Sequence, residues 1–355
     1  AQGIAGFMAQ AEVRDALGEE ALAALASSIE AFATSDAAAS GRVDPSRLLF
    51  GLARYYGAVD QPEKVVALNM AAARASPGRA AQAGRSILRT WMSSTAKLED
   101  YPALLAKATR HFDELRALAA GYVETVAASG DEQAKKRAES ATKLLENGEA
   151  PLAMLGQPAP AWTLDHAFGD VEQIADLEGK VVFVDFWATW CGWCIRSFPA
   201  VRDLLRDYAD SDLAILGVTT TAPTVVEANY NLDDDMKHKL VAGQAIPRIR
   251  LASERAPADP AKGIYPADVF PEKEREALTR FIANHEMTWP VLMIDKAEPK
   301  AKFGLQGWPH AVVVDRQGRI RYFKVGALLR DKEEQVAHFR KILDALLAED
   351  ADASR

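Results

Sequence analysis

The run Val182-Phe183-Val184-Asp185-Phe186-Trp187-Ala188-Thr189-Trp190-Cys191-Gly192-Trp193-Cys194 decides the fold of the second half of this chain. Its opening, β-branched and aromatic with a single acid, suits a buried strand. A Cys-x-x-Cys pair follows where a helix begins. The thiolate is the nucleophile of disulfide exchange, and the N–H groups and dipole of a helix N-terminus favour negative charge. Cys191 is therefore the candidate attacking thiol, and Cys194, one turn further in, the candidate resolving thiol.

A bare Cys-x-x-Cys can also be half of a zinc site. Cys191 and Cys194 are the only 2 cysteines in 355 residues, and the 6 histidines show no paired spacing near them, so no metal is expected. Asp185 lies six residues before Cys191 on the apolar run. A lone acid in a core strand is desolvated, which raises its pKa. A solvent-facing or turn-capping Asp is the alternative.

Length predicts two or three domains. Hydrophobic residues at 49% and charged residues at 26% are ordinary globular values. No uncharged run approaches the roughly 20 apolar residues of a membrane span. The net charge of −8, 42 basic against 50 acidic residues spread along the chain, argues against a nucleic-acid surface. The sequence begins Ala1-Gln2, which leaves a removed presequence and a trimmed start both open. Cysteines confined to one pair suit an extracytoplasmic setting, periplasmic or secreted, with the cytoplasm as the alternative.

Composition changes near residue 150. Before it the chain is Ala-rich, with Leu22, Leu25, Ile29 and Phe32, then Leu48, Leu49, Leu52, Tyr55 and Tyr56, then Val65, Val66, Leu68 and Met70 at helical spacing. Breaks at 41–45, 57–62, 76–78 and 129–130 divide this part into helices. Residues 1–148 are expected to form an all-α bundle or helical-hairpin domain, and the stretch from Leu52 to Pro77 faintly resembles one tetratricopeptide unit. A linker over 149–160, extended from Pro151 to Pro160, leads to an α/β domain over 161–348 and a tail at 349–355.

In that domain, 181–185, 213–219, 291–294, 311–315 and 320–324 read as strands, and the segments starting at Cys194, Pro271, Glu298 and Asp331 as helices. This alternation predicts a mixed central sheet flanked by helices, ending in a hairpin. Between 221 and 270 the pattern lapses over a proline-containing stretch with the Asp233-Asp234-Asp235 run, read as an insertion with a helix near 233–241. A lid or docking surface and a solvated excursion are equal readings of it.

The run ending Phe186-Trp187-Ala188-Thr189-Trp190-Cys191 resembles the active-site signature of the thioredoxin-like thiol-disulfide reductases of the TlpA and ResA type. Gly156-Gln157-Pro158-Ala159-Pro160, Leu177-Glu178-Gly179-Lys180 and Gly307-Trp308-Pro309 match other landmarks of that family in the right order. The resemblance spans about residues 152 to 347 less the insertion, and implies a thioredoxin-like fold. It implies that Pro309 is cis, that Asp185 shuttles a proton with Cys194, and that Trp190, Gly192, Trp193, Trp308, Pro309 and His310 border the substrate. The exposed backbone of Trp308 would pair with an extended client segment.

Three departures stand out: Trp193 where that type commonly has Pro, Ser197 where it commonly has an acid, and His310 where it commonly has Thr. The TlpA type also more often has Asn in place of Asp185. The His310 imidazole is read either as lying near the cysteines and titrating near neutrality or as a surface group. Arg196 is read as a solvated helix charge, with a thiolate partner as the alternative.

The activity implied is reduction of protein disulfides by a Cys191–Cys194 cycle, with no cofactor, protein disulfide substrates and an upstream electron donor. Two alternatives are a redox-switched interaction protein whose helical domain binds a partner, and a peroxiredoxin-like peroxidase. Against the peroxidase, Cys191 occupies the place of that motif's Thr and Ala188 supplies no Pro.

Overall fold

The computed structural model describes residues 17–33, 44–59, 61–92, 101–146, 150–221, 224–226, 264–266, 271–305, 307–329 and 333–349, with isolated positions between them. The chain divides into two compact units, Ala1–Ala153 and Met154–Arg355.

In the first unit the described elements are the helices α1 (Glu19–Ala33), α2 (Pro45–Ala58), α3 (Pro62–Ala75), α4 (Ala80–Met92), α5 (Tyr101–Ala128), α6 (Glu132–Lys143) and the short α7 (Ala150–Ala153). From α1 to α6, each helix packs on the next. Their starts follow local chemistry: Pro45 and Pro62 occupy first-turn positions, where a missing N–H is no loss. The Asp44 carboxylate accepts the Ser46 amide at 3.0 Å, and Asp131 accepts that of Ala134 at 2.9 Å. The apolar faces of α2 and α3 meet through Leu48, Leu52, Tyr55, Val65 and Leu68, against Leu22 and Ala26 of α1. The stretch expected to be extended from Pro151 instead begins with α7, whose first turn tolerates Pro151 and buries Leu152.

The second unit contains β1 (Leu164–Phe168), β2 (Val181–Phe186), α8 (Gly192–Asp207), β3 (Leu213–Thr220), β4 (Thr224–Val226), β5 (Ile264–Pro266), α9 (Pro271–Asn284), β6 (Val291–Ile294), α10 (Glu298–Phe303), β7 (His310–Val314), β8 (Ile320–Val325) and α11 (Glu333–Leu347). Six strands form one sheet in the order β1-β6-β3-β2-β7-β8. β2 runs parallel to β3, and β3 to β6, whereas β1, β7 and β8 are antiparallel to their neighbours. The architecture is α/β with a mixed sheet, as the strand and helix alternation predicts.

β2 is central and buried along its whole length. Alternation divides its side chains between two faces. Val181 and Phe183 join a core with Cys194, Phe198 and Val201 of α8, Leu278 and Phe281 of α9, and Phe339 and Leu343 of α11. On the opposite face Phe186 meets Phe303 of α10, whose ring also contacts Trp162.

The edge strand β1 and the small β4–β5 sheet were not expected. β4 and β5 lie inside the 221–270 insertion and pair antiparallel through Val225 and Tyr265. Most of the helix expected near 233–241 lies outside the described residues; Lys239 and Val241 are helical.

Candidate active site

The chain leaves β2 at Phe186, and a short turn, closed by the Cys191 amide donating to the Ala188 carbonyl at 3.0 Å, delivers it to α8. Cys191 is the N-cap of α8, with extended backbone at φ −87° and ψ 94°. Its Sγ accepts the Cys194 amide at 3.2 Å, so the sulfur occupies the place a capping oxygen usually fills. Cys191 and Cys194 are joined in a disulfide, their Cα atoms 5.2 Å apart. Exposure is asymmetric: Cys191 is 6% accessible and Cys194 1%. Cys191 is therefore the more accessible residue of the pair.

Asp185 sits on the same face as this core, buried on β2, and its Oδ2 has no hydrogen-bond partner among the described residues. Burial pushes its carboxyl up to about 7, against the opposing pull of the Lys324 ammonium. An acid at this value is divided between its two forms near neutrality, which suits proton transfer.

β7 starts at His310, opposite Phe186, so the residues before it stand at the same sheet end as the disulfide. The Trp308–Pro309 bond is cis. The Gly326 amide donates to the Pro309 carbonyl at 2.9 Å. Trp308 packs against the core that holds both cysteines, and its ring meets that of Trp190 edge-on with centroids 6.1 Å apart. Trp190 and Trp193 are 38% and 55% exposed, and the Arg196 guanidinium lies 4.5 Å from the Trp193 ring centroid. Gly192 is exposed, and a Cβ there would meet nothing within 4 Å. Three tryptophans and a glycine thus border the disulfide.

His310 departs from both readings of it. It is 0% exposed, so it is no surface group and offers nothing for a substrate to touch. Its ring contacts Phe186 and Phe323 on the side of the sheet opposite Asp185. Burial with neither ring nitrogen hydrogen-bonded pushes its pKa down to about 4, well below neutrality. The reason is register: His310 pairs with Phe186 and Ala311 with Asp185, so adjacent residues of β7 face opposite ways.

Two residues gain roles that the sequence did not disclose. The buried Ser197 hydroxyl donates to the Trp193 carbonyl at 3.1 Å and accepts the Leu328 amide at 3.1 Å. Lys324 Nζ donates to the carbonyls of Gly326 and Ala327 at 3.3 and 3.1 Å. Among the described residues, no three His, Cys, Asp or Glu side chains gather as a metal site.

The AhpC/TSA family model matches residues 155–243. The chain is 25% identical over 180 residues to the thioredoxin-like protein YneN of Bacillus subtilis, covering 51% of this chain and 76% of that protein. It is 34% identical over 76 residues to the thiol-disulfide oxidoreductase ResA of Oceanobacillus iheyensis, covering 20% of this chain and 40% of that one. Among solved structures, it resembles a putative thiol:disulfide interchange protein DsbE from Chlorobium tepidum, with 20% identity, a TM-score of 0.32, and coverage of 52% and 95%. The chain spans less than half the length of the ResA relatives it matches.

Proposed function

The second unit is a thioredoxin-like domain related to the ResA thiol-disulfide oxidoreductases, and from this premise we propose that the protein reduces disulfides of client proteins through the Cys191–Cys194 pair. In the reduced protein the Cys191 thiolate attacks one client sulfur. A Cys191–client disulfide forms, the client S–S bond breaks, and the released client thiolate takes up a proton. Asp185, as carboxylate, accepts the Cys194 proton. The Cys194 thiolate then attacks Cys191 Sγ, which restores the internal disulfide and releases the second client thiolate. Asp185 returns its proton there. Two electrons have passed to the client, and an upstream dithiol donor returns them by the reverse exchange.

The carrying observation is the asymmetric pair at the start of α8, with the more accessible Cys191 capping the helix and Asp185 buried on the same face of the sheet. Trp190, Gly192, Trp193, Trp308 and Pro309 supply the client surface in this reading. Exposed aromatic rings give apolar contact without sequence-specific hydrogen bonds, which suits varied clients. Cysteines confined to the redox pair support an oxidising, extracytoplasmic location. The helical unit is proposed as the site of a protein partner.

Turnover of insulin disulfides with dithiothreitol as donor tests the proposal. The parent protein accelerates insulin reduction and Cys191→Ser abolishes the effect; full activity in Cys191→Ser contradicts the assignment.

A further inference from the structure

Across the sheet, Gly217 of β3, Asp185 of β2, Ala311 of β7 and Lys324 of β8 occupy one register row. Residues of one row share a face, so Asp185 and Lys324 point to the same side with only the Ala311 methyl between them. Strands are spaced roughly 4.8 Å apart, which puts two strand spacings of about 10 Å between the two backbones. A lysine stem covers much of that distance over an alanine. On the other flank Gly217 contributes no side chain.

We infer that Lys324 is a positioning residue of the exchange reaction: its ammonium, on the same face as Asp185 across Ala311 and not ion-paired to it, acts through space to keep the carboxyl ready to take and return the Cys194 proton. The inference rests on the disulfide-exchange function proposed above.

The surroundings leave this work to Lys324. β3 offers Gly217, β7 offers Ala311, and β8 offers Lys324 with Tyr322 one pleat away. α8 faces this core with Cys191, Cys194 and Phe198, and α11 with Phe339, Ile342 and Leu343, while α9 buries Glu274 with Ala277, Leu278 and Phe281. Among the described residues, Lys324 is the charge whose field acts on Asp185. Burial alone would carry the carboxyl higher than it stands, and the Lys324 charge opposes that.

Lys324 is also fixed in place. Its Nζ donates to the carbonyls of Gly326 and Ala327. Gly326 adopts φ 93°, a conformation that favours glycine, and donates to Pro309. Leu328 donates to Ser197 of the redox helix. The loop that orients the ammonium therefore touches both the cis-proline segment and α8.

The test combines Lys324→Met, Lys324→Gln and Lys324→Arg with Asp185→Asn, reading insulin reduction against pH and the Asp185 carboxyl titration by infrared difference spectroscopy. The neutral variants are expected to move the Asp185 midpoint upward by about one pH unit and to slow exchange several-fold at pH 7. Lys324→Arg restores the parent profile, and in the Asp185→Asn background Lys324→Met shifts the profile no further. An unchanged midpoint in a folded neutral variant overturns the inference, as does a Met effect that persists without Asp185. Those failures leave the function standing as long as insulin reduction depends on Cys191; loss of that dependence overturns the function itself. Lys324→Gln carries the measurement if Lys324→Met does not fold.

Discussion

The Leu328 amide donates to the Ser197 hydroxyl at 3.1 Å, joining the loop after β8 to the helix that carries the disulfide. Both residues are buried. Removing the hydroxyl strands a buried N–H, which costs about 1–3 kcal/mol. Ser197→Ala is expected to lower unfolding free energy by that amount in a urea titration. Ser197→Glu is expected to lower it further, because it adds a carboxylate in the core.

Asp185 links the chemistry to stability. Below pH 3.8, its ordinary value, the carboxyl is neutral in both the folded and the unfolded chain. Between 3.8 and about 7 the unfolded chain ionises and the folded one does not, so stability falls as pH rises through this window. A difference of this size corresponds to roughly 4 kcal/mol. Asp185→Asn is expected to raise stability by up to about that much at pH 8, with the gain vanishing near pH 4. The same variant slows insulin reduction. Equal stability of parent and variant across this range would remove the buried acid from the account.

His310 and His285 act at the acid end. Burial pushes His310 down to about 4; burial, reinforced by the Arg202 charge, pushes His285 down to about 3, both from an ordinary 6.5. Above 6.5 both are neutral whether folded or not. As pH falls below 6.5 the unfolded chain protonates first, so stability declines toward pH 4 and below. His310→Leu is expected to flatten part of that decline in thermal melts between pH 7 and 4, and to leave the neutral-pH redox cycle in place.

Two glycines separate packing from access. A Cβ on Gly217 would lie 3.0 Å from the Nε1 atoms of both Trp187 and Trp289 and 3.2 Å from Val291. Gly217→Ala is expected to cost about 1–3 kcal/mol as the indoles are displaced, measured by urea denaturation. Gly192, with nothing within 4 Å of the same construction, is expected to tolerate Ala with little change in stability. A change in client KM with stability intact would mark Gly192→Ala as a substrate-surface effect.

The central strands were legible because burial on both faces forces continuous apolar runs; Val181 to Phe186 and Val291 to Ile294 fit that rule. β1 carries no such signal because Leu164-Asp165-His166-Ala167-Phe168 is of mixed polarity and, among the described residues, pairs on one side, with β6. The cysteine pair and Asp185 were readable from local spacing. The burial of His310 against Phe186 and the row from Asp185 to Lys324 were not, since both depend on cross-strand register, which no single stretch encodes. Ser197 was visible only as a departure from a resemblance; its partner Leu328 lies 131 residues away.

In the proposed cycle Cys191 attacks and Cys194 resolves. Incubating Cys194→Ser and Cys191→Ser separately with a disulfide-containing client, then separating the products without reductant, tests it directly. A stable one-to-one mixed disulfide through Cys191 is expected in Cys194→Ser and none in Cys191→Ser. A mixed disulfide formed through Cys194 instead, or none with either variant, would contradict it.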